Sequence, residues 1–205
     1  MSSTSNLVEI FESGDSFEIY RDRVLARAEL VSEMLAESIA RLAETDLDLS
    51  AFRALPCQVR VLVLSEDWCG DCTDNLPILD RIARDTGKLN VRIASRDAHL
   101  DVMDEYLKYG KFRAIPLVLF LDGAGAVGGH FIERPESLTA LRSKRRAEIH
   151  EKHPEFGGPD GYATLSPELR QALSDDLIAM VAGVRPLAVS EAVREFGEQA
   201  TLASA

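Results

Sequence analysis

The sequence predicts an α/β domain with further helices on either side of it. Three apolar runs of strand length, residues 59–64, 89–94 and 115–121, alternate with stretches of helical periodicity, and a fourth strand pattern at 126–132 follows the turn signal Asp122-Gly123. Glycines stand where the intervening helices should stop, at Gly87 and Gly110. At 205 residues the chain can bury one sizeable core and still carry extensions. Its 34 acidic residues against 23 basic give a net charge of -11, which argues against nucleic acid as a partner. No run reaches the length of a membrane span, and residues 1–16 are polar and acidic, so neither a membrane segment nor a secretory leader is expected. Three cysteines are too few for a disulfide scaffold at this length, and a Cys-x-x-Cys pair among them suits a reducing compartment. The expected setting is the cytoplasm.

Taken in order, Phe17, Tyr20, Val24, Val31, Leu35, Ile39 and Leu42 recur at helical spacing and predict one long amphipathic helix, capped by Asp15 or Ser16. Glu18, Arg21, Arg27, Glu33 and Arg41 form its solvated face. Leu7, Ile10 and Phe11 predict a short turn before it, broken at Gly14. Residues 45–56 read as a connection in which Ser50 offers a helix cap and Pro56 ends local helix. The predicted organisation is a helical extension over 1–52, an α/β domain over 53–150 and a second helical extension over 151–205. Cys57, ahead of the first strand, is expected to be a buried structural residue. The run 59–64, interrupted only by Arg60, suits a central strand covered on both faces. Residues 75–85 predict a helix with Leu76, Leu79, Ile82 and Ala83 inward and a kink at Pro77. A short helix is expected at 101–109 and another helix at 137–150. Beyond them lie a glycine-rich loop at 156–161, a helix opened by Ser166-Pro167-Glu168, and a last helix at 186–196.

The chemistry is concentrated in Trp68-Cys69-Gly70-Asp71-Cys72, between the first strand and the helix after it. Thiols three positions apart at a helix start share a face and can close into a disulfide without rebuilding the backbone. In the first turn, unpaired N–H groups and the helix dipole favour a thiolate, so Cys69 is the expected nucleophile and Cys72 the more buried resolving thiol. The same spacing is also half of a zinc site. Two further ligands would be needed, and the chain offers Cys57, His99, His130, His150 and His153, of which only the last two are spaced like half of a zinc knuckle. No metal is expected, and no cofactor beyond the Cys69–Cys72 disulfide itself.

Trp68, Cys69 and Cys72, with Pro77 five positions after the second cysteine, resemble the active-site motif of thioredoxins. Pro77-Ile78-Leu79-Asp80, Ile82-Ala83, Gly87-Lys88-Leu89 and Val91 extend the resemblance, and Ile115-Pro116 falls where that family has an Ile-Pro with a cis peptide bond. It covers residues 58–141. The resemblance implies the thioredoxin fold, a central mixed β-sheet flanked by helices, here with added N-terminal and C-terminal helices. It implies thiol–disulfide oxidoreductase activity, and substrate binding at Ile115 and Pro116 through main-chain hydrogen bonds. The stretch from Glu66 to Asp71, with a helical N-terminal extension, resembles a bacterial group of thioredoxin-like proteins that carry a Glu-Asp-Trp-Cys-Gly-Asp motif.

The departures carry weight too. Thioredoxins have a buried aspartate on the strand before the motif, which takes a proton from the resolving cysteine, and a lysine beside it. This sequence has Val63 and Ile93 at those positions. Asp71 and Glu66 are the remaining candidates for proton acceptor. Asp71 would also place a negative charge beside Cys69, opposing the helix dipole. Glu66, Asp67, Asp71 and Asp74 together predict an acidic rim that attracts basic protein segments and repels anionic thiols. The expected function is reduction of a disulfide-bearing protein substrate, with an upstream reductase restoring the dithiol. A second class stays open, a binding or adaptor module in which the cysteines act as a redox switch. The helical extensions either cover apolar faces of the core or mediate a homodimer.

Overall fold

The run 59–64 becomes an inner strand, β1 (Val59–Ser65), which pairs in parallel with β2 (Leu89–Ser95) and antiparallel with β3 (Leu117–Leu121). β4 (Val127–Ile132) runs antiparallel to β3, so the sheet order is β2-β1-β3-β4. Every residue of β3 is buried, and so is every residue of β1 except Arg60, whereas β4 alternates. That is why the two central strands read as continuous apolar runs. Asp122 makes the turn between β3 and β4, its Oδ1 accepting from the N–H groups of Ala124 and Ala126 at 2.8 and 2.9 Å. This computed structural model describes residues 3–27, 30–152, 154 and 189–204. The chain forms two compact units, Met1–Pro135 with Val189–Ala205, and Glu136–Ala188.

Before the sheet come α1 (Ser3–Ser13), α2 (Phe17–Leu25), α3 (Leu30–Ala43) and α4 (Ser50–Arg53); after β1 comes α5 (Gly70–Thr86), and after β2 α6 (Leu100–Glu105). α5 runs through Pro77 and is closed by Gly87, whose φ of 64° only glycine adopts without strain. Leu76, Leu79 and Ile82 point inward as expected. α1, α2 and α5 pack against β2, and α3 lies along α5. In the second unit α7 (Glu136–Lys152) fills the helix expected at 137–150. His153, the loop expected at 156–161 and the helix expected after Ser166 lie outside the described residues. The final helix, α8, spans residues 189–203 and so runs well past Phe196.

The mixed sheet with flanking and additional helices is the fold class the sequence predicts. Several elements differ. The single long helix is two, because the backbone turns at Ala26 and Arg27, whose N–H groups reach back to Asp22 O and Val24 O, each at 3.1 Å. The step from Val24 to Val31 is seven residues, two helical turns, so the apolar stripe stays in phase across the break. The turn expected around Leu7 is a helix of 11 residues, stabilised by burying Leu7, Ile10 and Phe11 against the sheet. Ser50 is not a cap; Leu49 holds that position, and the Ser50 N–H donates to Asp48 Oδ1 at 3.0 Å. Cys57, expected to be buried, is exposed, since it lies in the turn ahead of β1 rather than on the strand. The third strand begins two residues later than its apolar run, after Pro116.

Both margins of the sheet are occupied. At β2, Asp15 makes a two-bond bridge with Ile93, N to O distances 2.8 and 2.9 Å. Gly14 permits this approach, because a Cβ there would sit 3.0 Å from Arg92 Cβ. At β4, the His130 N–H donates to Gln199 Oε1 of α8 at 3.0 Å. α8 packs so closely that a Cβ on Gly128 would lie 2.4 Å from Ala203 Cα. Phe196 fixes it, its ring 4.8 Å from that of Phe131 and 6.2 Å from that of Phe120.

Candidate functional site

β1 ends at Ser65, and the chain turns through Glu66, Asp67 and Trp68 into Cys69, the N-cap of α5. Capping normally falls to an oxygen; here Cys69 Sγ accepts from the Cys72 N–H at 3.2 Å. That N–H belongs to the first turn of a 17-residue helix. Cys69 is 6% exposed and Cys72 fully buried, and both thiols are free. The Ile115–Pro116 peptide is cis, and Cys69 Sγ donates to the Ile115 carbonyl at 3.5 Å. Trp68 is 50% exposed beside the sulfur, with the Arg96 guanidinium 5.1 Å above its ring. Trp68, Cys69, Cys72, Ile115 and Pro116 thus come together at the end of the sheet.

The four acids near the thiols are each tied to something. Glu66 Oε1 accepts from Ser95 Oγ at 2.7 Å and from the Asp97 N–H at 3.0 Å, which fastens the loop after β1 to the one after β2. Asp67 receives Arg23 Nε on both oxygens, at 3.0 and 2.8 Å. Asp71 is held by Arg134 through Nε at 3.1 Å and Nη2 at 2.5 Å. Asp74 accepts from Ser38 Oγ at 2.9 Å and lies 3.5 Å from Arg41. Three of the four carboxylates therefore face arginines, and the rim presents ion pairs rather than bare negative charge.

Arg134 is the residue that local sequence gave no reason to pick. It also meets Glu133 Oε1 at 2.7 Å, and Glu133 Oε2 meets Lys108 Nζ at 2.6 Å. Burial opposes the Arg134 charge, but Asp71 and then Glu133 outweigh it and hold the guanidinium above its ordinary range. The backbone of Glu133, at φ 69°, donates its N–H to Pro116 O at 2.8 Å and accepts from Asn75 Nδ2 at 3.2 Å. Asn75 Nδ2 also donates to Asp71 O at 2.7 Å. The Glu133-Arg134 step therefore fastens the proline segment, the first turn of α5 and the acid between the cysteines to one another. Arg134 lies 63 residues from Asp71, beyond the reach of any short motif.

The N-terminal helices reach the site as well. Arg23 links Asp67 to Asp15, the latter at 2.6 Å. Met34 of α3 covers Gly70, where a Cβ would come within 3.0 Å of its Cε. Tyr20, read from the sequence only as part of an apolar stripe, is completely buried. Burial raises its phenol above the ordinary tyrosine range, and the neighbouring Cys72, Cys69 and Asp67 raise it further. Burial also pushes the Cys72 thiol well up, with Cys69 adding to the effect, while the Ser65 hydroxyl and the Glu66 N–H act in the opposite direction.

A thioredoxin family profile matches residues 23–147, more than half of the chain. This protein is a member of the thioredoxin-like superfamily. No curated protein matches it. Among solved structures, this thioredoxin-like chain is similar to a Pseudomonas aeruginosa protein of unknown function, at 26% identity and a TM-score of 0.59, over 90% of this chain and 99% of that one. It is also similar to an HIV epitope scaffold, at 25% identity and a TM-score of 0.57, over 86% of this chain and 97% of that one. Both alignments cover more of the chain than the profile match does. Among the described residues no cluster of histidine, cysteine and carboxylate side chains suits a metal ion.

Proposed function

We propose that this thioredoxin-like protein is a thiol–disulfide oxidoreductase, a cytoplasmic reductase of protein disulfides that works through Cys69 and Cys72. The observation that carries this reading is the 3.5 Å contact between Cys69 Sγ and the Ile115 carbonyl. It puts the nucleophile beside a stretch of main chain on which an extended peptide can align its own disulfide. In the reaction the Cys69 thiolate attacks one substrate sulfur, the substrate S–S bond breaks, and the departing thiolate takes a proton from solvent. Cys72 then loses its proton and attacks Cys69 Sγ, the mixed disulfide breaks, and the second substrate thiol leaves. Two electrons and two protons have moved to the substrate, the protein holds a Cys69–Cys72 disulfide, and an upstream reductase restores it.

Reduction of insulin with a small dithiol as electron source tests the proposal. The parent chain should accelerate it, and Cys69→Ser should abolish the acceleration. Cys72→Ser should accumulate a mixed disulfide that identifies the substrate in cell extract. Absence of acceleration by the parent would overturn the reading. The near-complete burial of both thiols favours one alternative, an adaptor that holds a partner at the proline segment and uses the cysteines as a switch. It predicts partner binding by the Cys69→Ser, Cys72→Ser chain as tight as that of the reduced parent.

A further inference from the structure

Resolution of the mixed disulfide requires a thiolate at Cys72, a fully buried sulfur, and the two paired strand positions where thioredoxins carry an aspartate and a lysine hold Val63 and Ile93. Asp71 and Glu66, the nearest acids in sequence, are engaged by Arg134 and by Ser95 with the Asp97 N–H. The hydroxyl beside Cys72 is that of Ser65, and Tyr20 Oη lies beside Ser65 in turn. Tyr20 Oη comes from α2 and Ser65 Oγ from the last residue of β1. Tyr20 is completely buried and Ser65 nearly so. They face each other and the sulfur closely enough to interact electrostatically, but neither meets hydrogen-bond geometry with any described residue.

An unpaired buried hydroxyl is a net cost to folding, and phenylalanine or alanine would remove it without changing the packing. Two such groups in line with one sulfur gain partners when that sulfur ionises, because a thiolate accepts hydrogen bonds more strongly than a thiol. We propose that Tyr20 and Ser65 are positioning residues for the resolving step, the Ser65 O–H turning onto the Cys72 thiolate as it forms and the Tyr20 O–H turning onto Ser65 Oγ. This rests on the oxidoreductase reading above. The hydroxyls act as donors and not as bases. Tyr20, held above its ordinary range by burial and the nearby anions, keeps its proton throughout, and Ser65 opposes the upward pull of burial on Cys72. The proton that leaves Cys72 goes to buffer base, the Cys69-to-partner S–S bond breaks as the Cys69–Cys72 bond forms, and the partner departs as thiolate. The other ionisable groups facing this centre are Cys69 at the start of α5, Asp67 from the loop, and Arg134, which acts on Cys69 from beyond β4.

A test uses the full chain carrying Cys57→Ser, so that only the paired thiols react, and one equivalent of dithionitrobenzoate. Attack by Cys69 releases one nitrothiobenzoate, and resolution by Cys72 releases the second. Tyr20→Phe and Ser65→Ala should each slow the second release about tenfold near neutral pH, leave the first unchanged, and shift the pH midpoint of the second upward by about one unit. Ser65→Thr, which keeps the hydroxyl, should restore it. Tyr20→Phe should melt at or above the parent temperature, which separates the effect from a structural one. As a second measurement needing no turnover, ultraviolet thiolate titration of Cys72 in the Cys57→Ser, Cys69→Ser chain should show the same upward shift on Ser65→Ala. Normal second release in both hydroxyl-deletion variants overturns the proposal while leaving the oxidoreductase reading intact. A parent that never gives a second release defeats both.

Discussion

Arg134→Gln should weaken the fold and slow Cys69 together. The guanidinium is 18% exposed and Asp71 22%, so the pair lies between a surface ion pair and a buried one. Surface pairs contribute about 0–1 kcal/mol, and breaking buried ones by removing one partner costs about 3–5 kcal/mol. Arg134 makes two bonds to Asp71 and one to Glu133, so its loss should cost about 2–3 kcal/mol, read as a lower urea midpoint. The same change removes a positive charge that faces both Asp71 and Cys69. A penalty of about 1.4 kcal/mol on the thiolate is tenfold in its population, or about 30 mV for the dithiol couple. Iodoacetamide alkylation of Cys69, in a chain with Cys57→Ser and Cys72→Ser, should therefore slow about tenfold near neutral pH. Asp71→Asn has the opposite sign, since it removes one of the two anions that offset Arg134, leaving Glu133, and should speed alkylation. The double variant Asp71→Asn, Arg134→Gln should return both readings toward the parent. If Arg134→Gln matches the parent in urea and in alkylation, or the double variant recovers nothing, the reasoning about this pair is wrong.

Gly128→Val would push a side chain into the Ala203 backbone and should destabilise the chain by about 1–3 kcal/mol in urea, more than Gly123→Val, where nothing stands nearby; equal losses would contradict the close packing of α8. In the reduced chain, burial raises the Cys72 thiol, so the native state holds that proton more tightly than the unfolded state does. Its contribution is full below the ordinary thiol value of 9.0 and declines as pH rises past it, by up to about 1.4 kcal/mol per pH unit. Tyr20 adds a loss of the same sign above its ordinary 10.0. Stability should thus fall more steeply with alkali in the parent than in Cys72→Ala, and parallel slopes would refute this. Cys57, being exposed, should label with iodoacetamide in the native reduced chain while Cys72 stays protected, and Cys57→Ser should leave insulin reduction unchanged.

What could be read from the sequence was whatever is encoded locally. β1, β3, α5 and its Gly87 cap announce themselves through apolar runs, a helical period and a glycine, and the cysteine pair with Ile115-Pro116 marked both halves of the site. The break between α2 and α3 was invisible because two full helical turns preserve the stripe. The partners of the acids were invisible for a different reason. Arg23, Arg41 and Arg134 arrive from distant elements, and a charged side chain carries no periodicity that says whom it will meet. Tyr20 fits an apolar stripe by its ring, and the role of its hydroxyl emerges only once β1 brings Ser65 beneath it.

The plugged margins of the sheet have a consequence for how other chains can attach. A bare outer strand is an open ladder that invites foreign backbone to join, which is a route to sticking and fibre growth. In this protein Asp15 occupies a rung on one side and Gln199 a rung on the other, which interrupts both outer ladders. On the oxidoreductase reading proposed above, an extended peptide would then align on the stretch leading into β3, where the Ile115 carbonyl lies 3.5 Å from Cys69 Sγ.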